Sequence, residues 1–152
     1  MFIDKKWATQ YTVREHVCNR DLEMVTVSIR PFYLPREFGQ ITVILVYVPG
    51  PDFKTAADQI TDSFNHVVSK CADQPIFILG DFNKCDILTK LPSLHQYVTC
   101  PTRRTTILDK CYGTVPNAYK SVCHPPLGRS DHNTIHLLPK YRQKVKSEKP
   151  VN

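Results

Sequence analysis

Six side chains in this chain are of the types that phosphate chemistry uses: Tyr47, Asp81, Asn83, Asp109, Asp131 and His132. Each follows an apolar run or lies in the short loop beside one. Carboxylates at Asp81, Asp109 and Asp131 can hold a hard cation such as Mg²⁺, and a carboxylate can also activate water. The Asn83 amide and the Tyr47 hydroxyl can donate to non-bridging phosphate oxygens. His132 can supply charge or a proton near neutral pH, and works best when an acid such as Asp109 fixes its ring. Blander readings exist for each residue taken alone. Asp81-Phe82-Asn83 also fits an Asx turn, Tyr47 a core tyrosine and Asp109 a strand-end cap. Asp131 and His132 are harder to explain that way, because an adjacent acid and histidine at a strand entrance cannot both point into a core. No Gly-x-Ser-x-Gly elbow and no Walker-type phosphate loop occurs, so serine hydrolase and P-loop readings compete poorly.

The elements that must position these groups can be read from pattern. Pro75 opens the wholly apolar run Ile76-Phe77-Ile78-Leu79, which predicts a strand buried on both faces and ending at Gly80. Val25, Val27 and Ile29 alternate with Thr26 and Ser28, predicting a half-buried strand over 23–30. Residues 42–48 are β-branched and apolar, a central strand ended by Pro49-Gly50-Pro51. Between these strands the period changes: Ala56, Ile60, Phe64, Val67 or Val68, and Cys71 recur at helical spacing, predicting an amphipathic helix over 55–71 with His66 on its surface. Further expectations are a short strand around Thr12, Val13 and Val17, a helical piece over 85–91, and strands over 105–111, 118–123 and 134–138.

Bulk properties set the frame. The 152 residues suffice for one domain with a core, and 41% are hydrophobic, as in globular chains. No apolar run could span a bilayer and the first residues lack signal-peptide order, so an intracellular protein without a membrane partner is expected. Six cysteines, at 18, 71, 85, 100, 111 and 123, include no Cys-x-x-Cys pair, which favours buried or incidental thiols over zinc ligands or disulfides. The net charge of +6 suits a polyanionic partner. Arg103, Arg104 and Arg129 are the candidate nucleic-acid contacts, and residues 140–152 read as a basic, disordered tail after a domain over 1–139.

These residues carry a resemblance as well. Tyr47-Val48-Pro49, Gly80-Asp81-Phe82-Asn83, Leu108-Asp109 and Ser130-Asp131-His132, in that order, resemble the endonuclease/exonuclease/phosphatase superfamily. Pro31-Phe32-Tyr33-Leu34-Pro35-Arg36-Glu37-Phe38, Cys100-Pro101-Thr102-Arg103, Leu127-Gly128-Arg129 and Leu138-Pro139-Lys140-Tyr141 resemble the apurinic-type endonuclease domain of LINE-type retrotransposons. The resemblance covers residues from about Trp7 to Tyr141. It implies a four-layer α/β sandwich and Mg²⁺-dependent nicking of DNA, with Mn²⁺ as a substitute, no small-molecule cofactor and action in the nucleus. Transferred by motif, Asp81 is the water-activating acid and Asn83 a phosphate or transition-state contact. Tyr47 contacts the phosphate, and His132 stabilises it with Asp109 as partner. Asp131 belongs to the metal-side carboxylates.

One departure shapes the expectation. Members of that family begin with strands bearing an asparagine and a metal-binding glutamate, and nothing before Trp7 corresponds to them. Glu15 and Glu23 lie in the wrong context to substitute. The sandwich is therefore expected to be incomplete at its amino end, with an uncovered apolar face and impaired catalysis. The competing readings are a non-catalytic nucleic-acid-binding remnant, a phosphatase or lipid phosphodiesterase of the same superfamily, and a zinc-dependent interaction module.

Overall fold

The computed structural model describes residues 1–142. A mixed six-stranded sheet is its backbone: β1 (Gln10–Cys18), β2 (Glu23–Arg30), β3 (Ile41–Tyr47), β4 (Ile76–Asp81), β5 (His95–Gln96) and β6 (Asp109–Gly113). The order across the sheet is β1-β2-β3-β4-β6-β5, and β7 (Tyr119–His124) pairs with β8 (Thr134–Pro139) in a separate two-stranded sheet. Only β3 and β4 run parallel, and the helix α1 (Phe53–Lys70) makes the crossover between them. Asp52 caps α1 by accepting from the Thr55 amide at 2.9 Å, which holds its carboxyl below the usual range.

Alternation along the strands sorts side chains between two apolar layers. Met24, Ile44, Val46, Ile76, Ile78 and Tyr112 face Ala56, Ile60, Phe64 and Val67 of α1. Val27, Ile29, Ile41, Val43, Phe77 and Cys111 face the other way, where Ile135, Leu137 and Tyr119 of the small sheet pack on them. The molecule is thus three layers: helix, six-stranded sheet, two-stranded sheet. Among the described residues α1 is the one helix, so the four-layer arrangement is incomplete. No described helix is long and apolar enough to cross a membrane.

The small sheet does not reach the outer strands. Tyr11 and Val13 lie opposite Ile29 and Val27 in register, hence on the same face, yet are 60% and 55% exposed. With Val25, Val27 and the first residues of the chain they line a shallow apolar cavity. The expected uncovered face is therefore located: it is the β1–β2 end of the inner sheet surface.

The structure corrects some local expectations. Residues 85–91 form turns rather than a helical piece, and the strand expected over 105–111 begins only at Asp109. At the other end of the chain, Lys140 and Tyr141 both donate their amides to the Ala118 carbonyl, and the Tyr141 hydroxyl reaches Glu37. Residues 143–152, which hold most of the expected basic tail, lie outside the described residues.

Candidate functional site

Register brings the chemistry together. Glu23 pairs with Tyr47, Tyr47 with Asp81, and Asp81 with Asp109, so four strands place four polar residues in one row at one end of the sheet. Their neighbours Val25, Leu79 and Cys111 belong to the layer under the small sheet, so by alternation the row shares that face. Because β6 runs antiparallel to β4, its first residue falls beside the last residue of β4. That is why Asp109, a strand start, meets Asp81, a strand end.

Two backbone devices hold Asp81. Gly80 has φ +143°, and a Cβ there would lie 1.8 Å from the Val46 carbonyl oxygen of β3. Glycine therefore lets β3 and β4 approach at the site. Beyond Asp81 the chain turns through Asn83, which has φ +49° and donates its amide N–H to an Asp81 carboxylate oxygen at 2.9 Å. The Asn83 side chain donates to the Val48 carbonyl at 2.8 Å, tying the Asp-Phe-Asn turn to the end of β3. On the opposite face, the Lys110 ammonium donates to the Cys85 carbonyl at 2.7 Å and lies over the Phe82 ring. Burial lowers the Lys110 pKa.

Asp109 is set by Thr102. The buried Thr102 hydroxyl oxygen accepts from the amides of Leu108 and Asp109 at 2.9 and 3.0 Å, while its carbonyl accepts from the Asn133 amide at 2.6 Å. One residue thus anchors both Asp109 and the segment bearing His132. His132 Nδ1 lies 2.7 Å from Asp109 Oδ2, so the N–H tautomer that donates to the carboxylate is the one the contact selects. Its Nε2 is left facing the site rim, 3.9 Å from Asp131 Oδ1. The Ser130 hydroxyl accepts from the His132 amide at 3.1 Å and shapes the turn that presents the ring.

Ligand atoms of Asp81, Asp109 and His132 all lie within 4.8 Å of one another. Two carboxylates directly opposed across a strand pair repel each other unless a cation or proton lies between them. The donor set fits a hard divalent ion held by one or two carboxylates with water completing its shell; His132, already bonded to Asp109, is less suited as a ligand for it. Asp131 sits at the rim, its side chain 66% exposed, and pairs with the Arg103 guanidinium at 2.5 Å. Tyr47 is 44% exposed beside Asp81. Arg104, in the left-handed region at φ +52°, and Arg129 are on the exposed surface.

The structure therefore gathers Tyr47, Asp81, Asn83, Asp109, His132 and, at the edge, Asp131 with Arg103. Sequence reasoning missed two residues here. Thr102 shows its role only through its hydrogen bonds. Glu23, whose sequence context argues against a metal role, lies in the same cross-strand row and lines a cleft with Tyr47, Asp81 and His16. Its place opening an alternating strand was the available signal.

No protein-family model matches the sequence, and no curated protein matches it. Solved structures do. The catalytic domain of human Nocturnin, with bound sulfate anion, superposes with TM-score 0.57 at 11% identity, over 90% of this chain and 62% of that one. The chain resembles part of an endonuclease/exonuclease/phosphatase fold. The likeness is one of fold, and this chain spans under two thirds of that domain's length. D. rerio TDP2, complexed with single-strand DNA product, matches at TM-score 0.49 and 11% identity over 86% of this chain and 67% of that one.

Proposed function

We propose that the row at the sheet end is a metal-assisted phosphodiesterase site, and that its substrate is DNA. The observation that carries this reading is the His132–Asp109 pair set directly against Asp81, with all three ligand atoms within 4.8 Å. The finer reading, resting on the sequence resemblance, is a nicking endonuclease of LINE-type retrotransposons, working in the nucleus to expose a 3′ hydroxyl for reverse transcription.

Each residue has a task in that chemistry. A bound Mg²⁺ or Mn²⁺ would supply Lewis-acid stabilisation of charge on the phosphate and leaving oxygen, held by Asp81 and Asp109 with Asp131 at its edge. The Asp81 oxygen that accepts from the Asn83 amide keeps a second lone pair for the ion, and the other oxygen is the base that would take a proton from the attacking water. His132, oriented by Asp109 and carrying a proton on each ring nitrogen, would donate from Nε2 to a non-bridging phosphate oxygen. The Tyr47 hydroxyl and the second side-chain N–H of Asn83, beside the one that donates to Val48, are the further phosphate contacts. Arg103, Arg104 and Arg129 supply sequence-indifferent contacts to flanking phosphates.

A second reading, DNA binding without cleavage, draws support from the Arg103–Asp131 ion pair, which places a fixed cation against a rim carboxylate. Nicking of supercoiled plasmid in Mg²⁺ separates the two. The parent chain is expected to convert plasmid to open circles whose ends a polymerase extends, and Asp81→Asn is expected to be at least about 10³-fold slower. Salt-sensitive DNA binding with no nicking by a folded parent chain would replace the first reading by the second.

A further inference from the structure

Beyond the site row, one pair of side chains has chemistry that the proposed reaction does not use. The segment leading into Thr102 runs beside β7 at a constant offset of 22 residues: the Tyr97 and Tyr119 rings lie 5.8 Å apart, the Thr99 hydroxyl is 3.3 Å from that of Ser121, and the Cys123 thiol donates to the Pro101 carbonyl at 3.1 Å. Running in parallel, this alignment sets Cys100 one step from Cys123, near enough for the Cys100 thiol to raise the pKa of the Cys123 thiol. Cys123 is exposed and Cys100 half-buried, so an oxidant can reach the pair. Cys85 and Cys111, by contrast, are buried, and burial pushes their thiols up to about 11 and about 12.

We propose that Cys100 and Cys123 form a reversible disulfide that fixes the 99–103 segment to β7. The segment matters because Thr102 anchors Asp109 and Arg103 pairs with Asp131. The Pro101 carbonyl, which takes the Cys123 thiol, also takes the Asn133 side chain at 3.1 Å, so the bridge lies one residue from the His132 loop. With glutathione disulfide as oxidant, the Cys123 thiolate attacks one of its sulfurs and releases a glutathione thiolate. The Cys100 thiolate then attacks the Cys123 sulfur of the mixed disulfide and releases the second. Two protein thiols lose two protons and two electrons, and one glutathione disulfide becomes two glutathione thiols. Partial desolvation and the neighbouring Cys100 thiol raise the Cys123 thiol pKa, so the reaction should quicken as pH rises from neutral.

The test is exposure of the folded chain to glutathione disulfide, then tryptic mapping without reduction. The expected product joins peptide 91–103, carrying Cys100, to peptide 121–129, carrying Cys123. The oxidised chain should melt higher by roughly 5–10 °C, as a cross-link closing a loop of this size constrains the unfolded chain. Cys100→Ser should keep a glutathione adduct on Cys123 and show no such rise. Stable separate adducts on both cysteines of the parent chain, or cross-links from either to Cys18 or Cys71, would overturn the proposal.

Discussion

Replacing His132 with alanine is expected to slow plasmid nicking by about 10²–10⁴-fold, the usual worth of a positioned acid–base or charge-stabilising side chain. The fold should not suffer. His132 enters from the loop before β8, and its side chain is bonded to Asp109 at the partly exposed site margin, not within either apolar layer. The melting temperature should therefore stay within about 2 °C of the parent, the shift that a surface change of about half a kcal/mol gives in a chain of this size. Asp109→Asn should be at least as damaging, because it removes both the partner of His132 and a carboxylate facing Asp81. Adding His132→Ala to Asp109→Asn should then cost little more, since residues that act as one unit are not additive. Equal nicking by parent and His132→Ala would remove histidine from the mechanism.

Gly80→Ala should destroy the fold rather than only the activity. The added methyl would lie 1.8 Å from the Val46 carbonyl oxygen, a backbone atom that cannot rotate away. The residue would also have to adopt φ +143°, which side-chain-bearing residues rarely tolerate. Relief requires β3 and β4 to separate at the centre of the sheet, where Ile44, Val46, Ile76 and Ile78 are packed on α1. A cost of at least about 3 kcal/mol follows, a large share of the 5–15 kcal/mol that holds a typical domain. Denaturant titration followed by circular dichroism should find the variant largely unfolded, or melting without cooperativity. A cooperative transition close to that of the parent would show that the strand approach at Gly80 is not as tight as described.

The central strands were legible because burial imposes a regular pattern. β2 matches the alternation over 23–30, and β3 and β4 fall within one or two residues of the apolar runs that announced them. β1 was only glimpsed. It is an edge strand whose register shifts between Val13 and Glu15, so its inward side chains change phase, and Arg14 donates its Nε to the Ser28 hydroxyl at 3.1 Å. The helical piece over 85–91 failed for a local reason. The Asp86 carboxylate accepts from the Leu88 amide at 2.9 Å, a side-chain bond that competes with helix formation, and a single turn closed by the Leu91 amide on the Ile87 carbonyl buries both residues instead. The late start of β6 has a similar cause, since Arg103 and Thr106 exchange backbone hydrogen bonds around a tight turn.

Within the site, residue types were readable and assembly was not. Asp81, Asp109 and His132 stood out as acids and a histidine at strand ends, but only the antiparallel pairing of β4 with β6 makes the two acids neighbours. Thr102 could not be found from spacing, because a threonine acting through its hydroxyl on two amides leaves no periodic signal. Glu23 was visible but lacked context until register placed it two strands from Asp81.

The proposed chemistry needs a divalent cation held between the opposed carboxylates of Asp81 and Asp109. Mn²⁺ binding to the folded chain, followed by the relaxation of water protons, tests this directly. The prediction is one saturable Mn²⁺ site per chain, displaced by Mg²⁺ and lost in Asp81→Asn. A folded parent chain that binds no Mn²⁺, or an Asp81→Asn variant that binds it as well as the parent, would contradict it.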